Sequence, residues 1–204
     1  FAWTGSATNA ADTKDTSLSR ISAGIVGVGT GAQGSTAGTL QVALVTAAMG
    51  TGSGTQSLGG VANVNTTAVG NVDAGTDDLM TYTLPANSMS ANGKGVRITA
   101  WGTAANNANA KTVTMNFGGT AIVTTALTVS QVDTWWAEGI VIRTGAATQE
   151  AFGELTQGGT VTISDVEQST PAETLSGAVT IKCTGAATTT NDIVQEGMIV
   201  EFIN

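Results

Sequence analysis

Apolar and polar residues alternate through two runs on either side of an Asn/Ala loop in residues 96–117, VRITAWGTAANNANAKTVTMNF. A period of two puts Val96, Ile98 and Ala100 on one side of a first strand, and Val113, Met115 and Phe117 on one side of a second. Each run predicts a strand with one buried face, and the loop between them predicts a hairpin. The same period returns at residues 135–142, 161–163, 179–183 and 198–202, with Gly, Thr and Asn in between. Candidate strands fall at residues 61–69, 79–84, 95–102, 111–117, 120–129, 134–143, 150–156, 160–166, 177–184 and 193–203. Short strands at this spacing, joined by turn residues, predict an all-β fold, an antiparallel sandwich or barrel. Pro85 and Pro171, the two prolines, both fall at expected strand ends, where a missing amide hydrogen costs least.

The N-terminal stretch reads differently. Residues 1–13 form an irregular lead-in with Trp3 as the large anchor. In residues 15–40, DTSLSRISAGIVGVGTGAQGSTAGTL, short apolar pieces are broken by Gly every few positions. Strands so short and so rich in Gly bury little within one chain, which predicts that several copies wrap together around a shared axis. Residues 42–49, VALVTAAM, suit a short helix or a continuous buried strand, and residues 50–60, GTGSGTQSLGG, a flexible hinge. The expected division is thus a stem and hinge over 1–60 and a β-sandwich head over 61–204.

Composition narrows the function. Charged residues are 11% of the chain, against roughly 25% in an ordinary soluble domain. No apolar run reaches the roughly 18 residues a membrane helix needs, so no membrane insertion is expected. The net charge is −8, from 15 acidic and 7 basic residues, and the basic ones stand singly. Counterion release from nucleic acid requires clustered Lys and Arg, so no nucleic-acid partner is expected. The absence of His excludes the usual Ser-His-Asp and Cys-His arrangements and His-ligated zinc. Cys183 is the single cysteine and sits in an alternating run, as a small buried apolar residue would. The chain begins at Phe1, which leads us to expect a processed terminus or a part of a longer polypeptide, and its first residues lack the pattern of a signal peptide.

Two regions carry a resemblance. DTSLSRISAGIVGVGTGAQGSTAGTL resembles a segment of many tailed-phage tail-fibre and virion proteins, found just before a C-terminal head. LMTYTLPANSMSANGKGVRITAWGTAANNANAKTVTMNFGG and IKCTGAATTTNDIVQEGMIVEFIN are similar to the heads of such fibres and spikes. The resemblance implies a virion location and a homotrimer with an intertwined stem and jelly-roll-like knobs. Other virion proteins and a host-surface glycan or protein receptor are the partners it implies. A tail-fibre or tailspike component is the leading expectation, and a capsid decoration or head-fibre protein that stabilises the shell is the alternative. A glycan-cleaving tailspike is a minor one.

Individual motifs add little chemistry. Gly29-Thr30-Gly31-Ala32-Gln33-Gly34 fits G-x-G-x-x-G, but a dinucleotide site needs a helix opening there and an acidic residue about 20 positions on. STAGTL follows, and no Asp or Glu occurs between Asp15 and Asp73, so no cofactor is expected. Asp73, Asp77 and Asp78 suit a turn better than a cation site, since their spacing is not that of an EF-hand. Glu138, Glu150, Glu154, Asp165 and Glu167 raise the question of paired glycosidase carboxylates, yet one acid per strand is what a solvated sheet face carries. No enzymatic activity is therefore expected. Trp101, Trp135, Trp136 and Tyr82 are the large aromatics of the head. Trp135 and Trp136 are adjacent, so in a strand one of them faces away from the core, where an indole can stack on a sugar ring. Asn106, Asn107 and Asn109 are expected first as turn residues and second as hydrogen-bonding partners of a sugar.

Overall fold

The computed structural model describes residues 2–4, 14–22, 25–29, 60–131, 133–159 and 163–203. The chain divides into two compact units, Phe1–Ala47 and Ala48–Asn204. The readings of residues 42–49 as a helix or strand and of 50–59 as a hinge lie outside the described residues, as does most of the glycine motif. In the first unit β1 (Ala2–Thr4), β2 (Lys14–Ser22) and β3 (Ile25–Gly29) form an antiparallel sheet with β2 in the middle.

The second unit is an antiparallel β-sandwich. Its strands are β4 (Val61–Asn65), β5 (Val69–Gly70), β6 (Gly75–Leu84), β7 (Gly95–Ala104), β8 (Lys111–Phe117), β9 (Thr120–Leu127), β10 (Asp133–Gly145), β11 (Thr148–Gln157), β12 (Ile163–Ser169), β13 (Val179–Ala187) and β14 (Ile193–Ile203). One sheet has the order β12-β11-β10-β7-β14-β4, with β5 also paired to β14; the other has the order β6-β13-β8-β9. Outer strands pair in reverse order along the chain: β4 with β14, β6 with β13, β7 with β10 and β8 with β9. That is a long hairpin rolled over itself, the connectivity of a jelly roll, and the β11–β12 hairpin extends it beyond β10.

Residues 96–117 are not a hairpin, because β7 and β8 belong to different sheets and the loop at residues 105–110 carries the chain across the sandwich. Both strands alternate because both face the same core from opposite sides: Val96, Ile98 and Ala100 on β7, and Val113, Met115 and Phe117 on β8, are all fully buried. These residues join Ile122, Val123, Val141, Ile181, Cys183, Met198 and Val200 in one hydrophobic core. Close approach of the sheets depends on two glycines. A Cβ at Gly139 would lie 2.7 Å from Met115 Sδ, and one at Gly153 would lie 2.7 Å from Ile122 Cγ2.

Strand β9 is the edge of the smaller sheet, and unpaired edge groups are a liability. Side chains of the larger sheet cover it. Glu167 accepts a hydrogen bond from the Thr124 amide (3.1 Å), and the Gln157 side-chain oxygen accepts one from the Thr128 amide (2.6 Å).

Candidate functional site

The two outward faces of the sandwich differ in chemistry. The register of the four-stranded sheet aligns Thr83 with Thr180 and Thr114 with Thr184 and Thr124, so its outer surface is a field of small hydroxyl-bearing side chains. Among the described residues of the sandwich, the exposed large apolar side chains that sit in strands are Val61, Val64, Trp136, Phe152 and Val166, and all five lie on the seven-stranded sheet. They share its outer face. One rung across six strands reads Val166, Glu154, Glu138, Thr99, Ile199, Val64, and the next reads Gln168, Phe152, Ile140, Arg97, Glu201, Val61. Arg97 and Glu138 form an ion pair at 3.7 Å on this surface. An apolar face rimmed and crossed by polar groups is the usual mark of an interaction surface.

The third rung holds Trp136 directly opposite Trp101. Cross-strand partners have Cβ atoms roughly 5 Å apart, close enough for the indoles to touch. Here they diverge, because Trp101 is also paired with Gly197 on β14 and its ring lies across that glycine. A Cβ at residue 197 would overlap Cζ2, Cε2 and Cη2 of Trp101. With Trp101 leaning toward β14 and Trp136 rising from β10, a cleft of about 360 Å³ opens, lined by Trp101, Gly102, Thr134, Trp135, Trp136, Thr156, Gly158 and Glu196. Glu196 stands on its rim, where the Thr103 hydroxyl donates to its carboxylate (3.4 Å). Trp136 keeps 39% of its surface exposed, whereas Trp135 is 1% exposed. Strand alternation turns the Trp135 ring inward against Gly102.

The other residues singled out from the sequence do not join this cleft. Tyr82 lies on β6 in the opposite sheet and packs against the core, and burial pushes its phenol above its ordinary pKa. Asn106 is exposed in the loop after β7. Asn107 and Asn109 are committed internally. Their side-chain amides donate to Asp192 Oδ1 (2.5 Å) and Oδ2 (2.9 Å), while Lys111 Nζ donates to Asn107 Oδ1 (2.7 Å) and to the Asn109 carbonyl (2.9 Å). Both Nδ2 groups are thus already engaged within the protein. Burial works to raise the Asp192 pKa, but hydrogen bonds from Asn107, the Thr189 amide and Asn109 outweigh it and hold the carboxyl well below the usual range. Buried Asn71 joins the same knot by donating to the Thr189 carbonyl (2.8 Å) and accepting from the Ile193 amide (3.0 Å). The knot fastens the loops after β7 and before β14, at the end of the sheet nearer the cleft.

The acidic residues weighed for metal or acid–base chemistry are dispersed. Asp77 accepts a hydrogen bond from the Val72 amide (3.0 Å), and Asp78 pairs with Lys182 (2.7 Å). Glu154 accepts from Thr156 and Ser164, and Glu167 holds the β9 edge. Among the described residues no three His, Cys, Asp or Glu side chains gather as a metal site would require, and no helix is long and apolar enough to cross a membrane.

Glu196 and Lys111 are contributors that the sequence pattern did not single out. Lys111 had a visible signal: it occupies the inward register of KTVTMNF, two residues before Val113. Glu196 had none, because a register shift between Gln195 and Gly197 breaks the alternation of β14. Comparison with protein-family models and with curated proteins finds no match to this chain.

Proposed function

We propose that this chain is a structural component of a tailed-phage virion, a tail-fibre or tailspike head that assembles as a homotrimer and binds the host cell surface. The observation that carries the binding role is the pair of indoles, Trp101 and Trp136, presented across a cleft on the apolar outer face of the seven-stranded sheet. Rigid aromatic side chains on a sheet supply contact area at low entropic cost, which suits adhesion to a repetitive surface. The resemblance of residues 15–40 to fibre segments supports the virion assignment and the assembly in threes that it implies, and the Gly-rich composition of that stretch supports the wrapping of several copies together. Scattered, individually hydrogen-bonded carboxylates favour binding over turnover.

Two measurements test this reading. Light scattering of the full chain should give three times the 20.3 kDa of one chain. The purified protein should also compete with phage for adsorption to host cells. A monomer at micromolar concentration would remove the trimer. A trimer that leaves adsorption unchanged would point instead to a protein that stabilises the capsid.

A further inference from the structure

We infer that the Trp101–Trp136 cleft is a subsite for a neutral pyranose, with Trp136 as the stacking platform, Glu196 as the acceptor for adjacent sugar hydroxyls and Gly197 as the residue that holds the cleft open. The inference rests on the host-surface reading above and names the ligand class at that site.

Shape is the first argument. A pyranose presents a face of C–H groups that packs on an indole and an edge of hydroxyls that needs hydrogen-bond partners. The cleft offers both, the half-exposed Trp136 ring beside Thr134, Thr156 and the Glu196 carboxylate. Its volume of about 360 Å³ sits at the lower end of the roughly 300–1,000 Å³ of small-ligand sites, room for a short sugar and too little for a folded partner. Charge is the second argument. Among the described residues no Lys or Arg lines the cleft, Glu196 stands on its rim, and Glu154 approaches Thr156, which lines it. Arg97, the basic residue on the same face, is engaged by Glu138. With a net charge of −8 on the whole chain and Glu196 at the rim, a uronate, sialate or phosphorylated sugar meets a net repulsion. A neutral ring meets a hydrogen-bond acceptor.

Gly197 is a positioning residue. Any side chain there collides with the Trp101 indole and drives it off β14 toward Trp136, closing the gap in which the ring would sit.

The test is a titration of the full chain with neutral methyl hexopyranosides and short neutral oligosaccharides, beside glucuronate and sialic acid, read by tryptophan fluorescence and saturation-transfer NMR. Neutral sugars should saturate the protein, with acidic ones at least about tenfold weaker. Trp136→Ala, at an exposed position, should weaken neutral binding by about tenfold or more. Gly197→Ala should do the same while shifting the Trp emission of the free protein. Glu196→Gln keeps a hydrogen-bonding side chain but removes the charge, so neutral binding should persist and the discrimination against acidic sugars should shrink. A merely structural role for Glu196 would not change that ratio. Acidic sugars binding as well as neutral ones would overturn the inference. So would a protein that blocks phage adsorption yet binds no sugar in the panel, a result that leaves the host-surface reading standing. Failure both to block adsorption and to bind sugar would remove both.

Discussion

Replacing Asp192 by Asn perturbs the polar knot by one charge and almost no volume, which allows the cost to be worked from the contacts. The carboxylate accepts from Asn107 Nδ2 on Oδ1, and from Asn109 Nδ2, the Thr189 amide and the Thr188 amide on Oδ2. An amide at position 192 does best with its oxygen in the place of Oδ2, which leaves its NH2 facing the NH2 of Asn107. Asn107 cannot turn over to help, because its own oxygen already accepts from Lys111 Nζ (2.7 Å) and the Asn109 amide (3.1 Å). At least one hydrogen bond to a charged group is lost, worth about 1.5–3 kcal/mol, and the others lose their charge assistance. The expected cost is about 2–4 kcal/mol, a large share of the roughly 5–15 kcal/mol that holds a domain together.

Urea denaturation at pH 7 should therefore show a midpoint lower by about 1–2 M for the variant, given a slope of about 2 kcal/mol per molar. The pH dependence carries the sign. The folded pKa of Asp192 lies below the unfolded value of about 3.9, so its contribution is complete above that pH and is lost as pH falls toward the folded pKa. Wild type and variant should differ by the same amount from pH 7 to 5 and converge below about pH 3.9. Equal stability at pH 7, or an undiminished difference at pH 2.5, would refute this account of the knot.

Two further outcomes follow from the packing. Gly153→Ala places a methyl 2.7 Å from Ile122 Cγ2 and 2.9 Å from Val123 Cβ, so the sheets must separate locally. The expected destabilisation is about 1–3 kcal/mol, measured by the same denaturation with binding assayed in parallel. Cys183 is fully buried, and burial pushes its thiol up to about 12 despite the opposing hydrogen bond from Gln195. A thiol reagent at pH 8 should leave the native protein unlabelled and modify one cysteine per chain after denaturation.

Strand positions were legible in the sequence because a buried face imposes a period of two wherever it occurs. The expected segments 95–102, 111–117 and 193–203 lie within or coincide with β7, β8 and β14. Pairing was not legible. Alternation records that one side of a strand is buried and is silent on what lies beside it, so β7 and β8 read as a hairpin although they belong to opposite sheets around one core. That the adjacent tryptophans take opposite faces was readable; which of them faces the core was not, and the structure puts Trp135 inside and Trp136 outside. Asn107 and Asn109 were legible as turn residues, and the Asn109 amide does donate to Asn107 Oδ1, but their partner Asp192 lies more than 80 residues away along the chain and left no local sign. Glu196 and Gly197 stayed hidden for a local reason, since the register shift in β14 moves residues between faces without any compositional sign.

The binding surface can be located directly by recording the indole N–H signals of the four tryptophans as host-surface polysaccharide is added. The signals of Trp101 and Trp136 should shift together, and Trp136→Ala should move the Trp101 response to concentrations about tenfold or more higher, while the buried Trp135 signal stays in place. Saturable binding that leaves Trp101 and Trp136 unmoved, and that survives Trp136→Ala at undiminished affinity, would contradict this account.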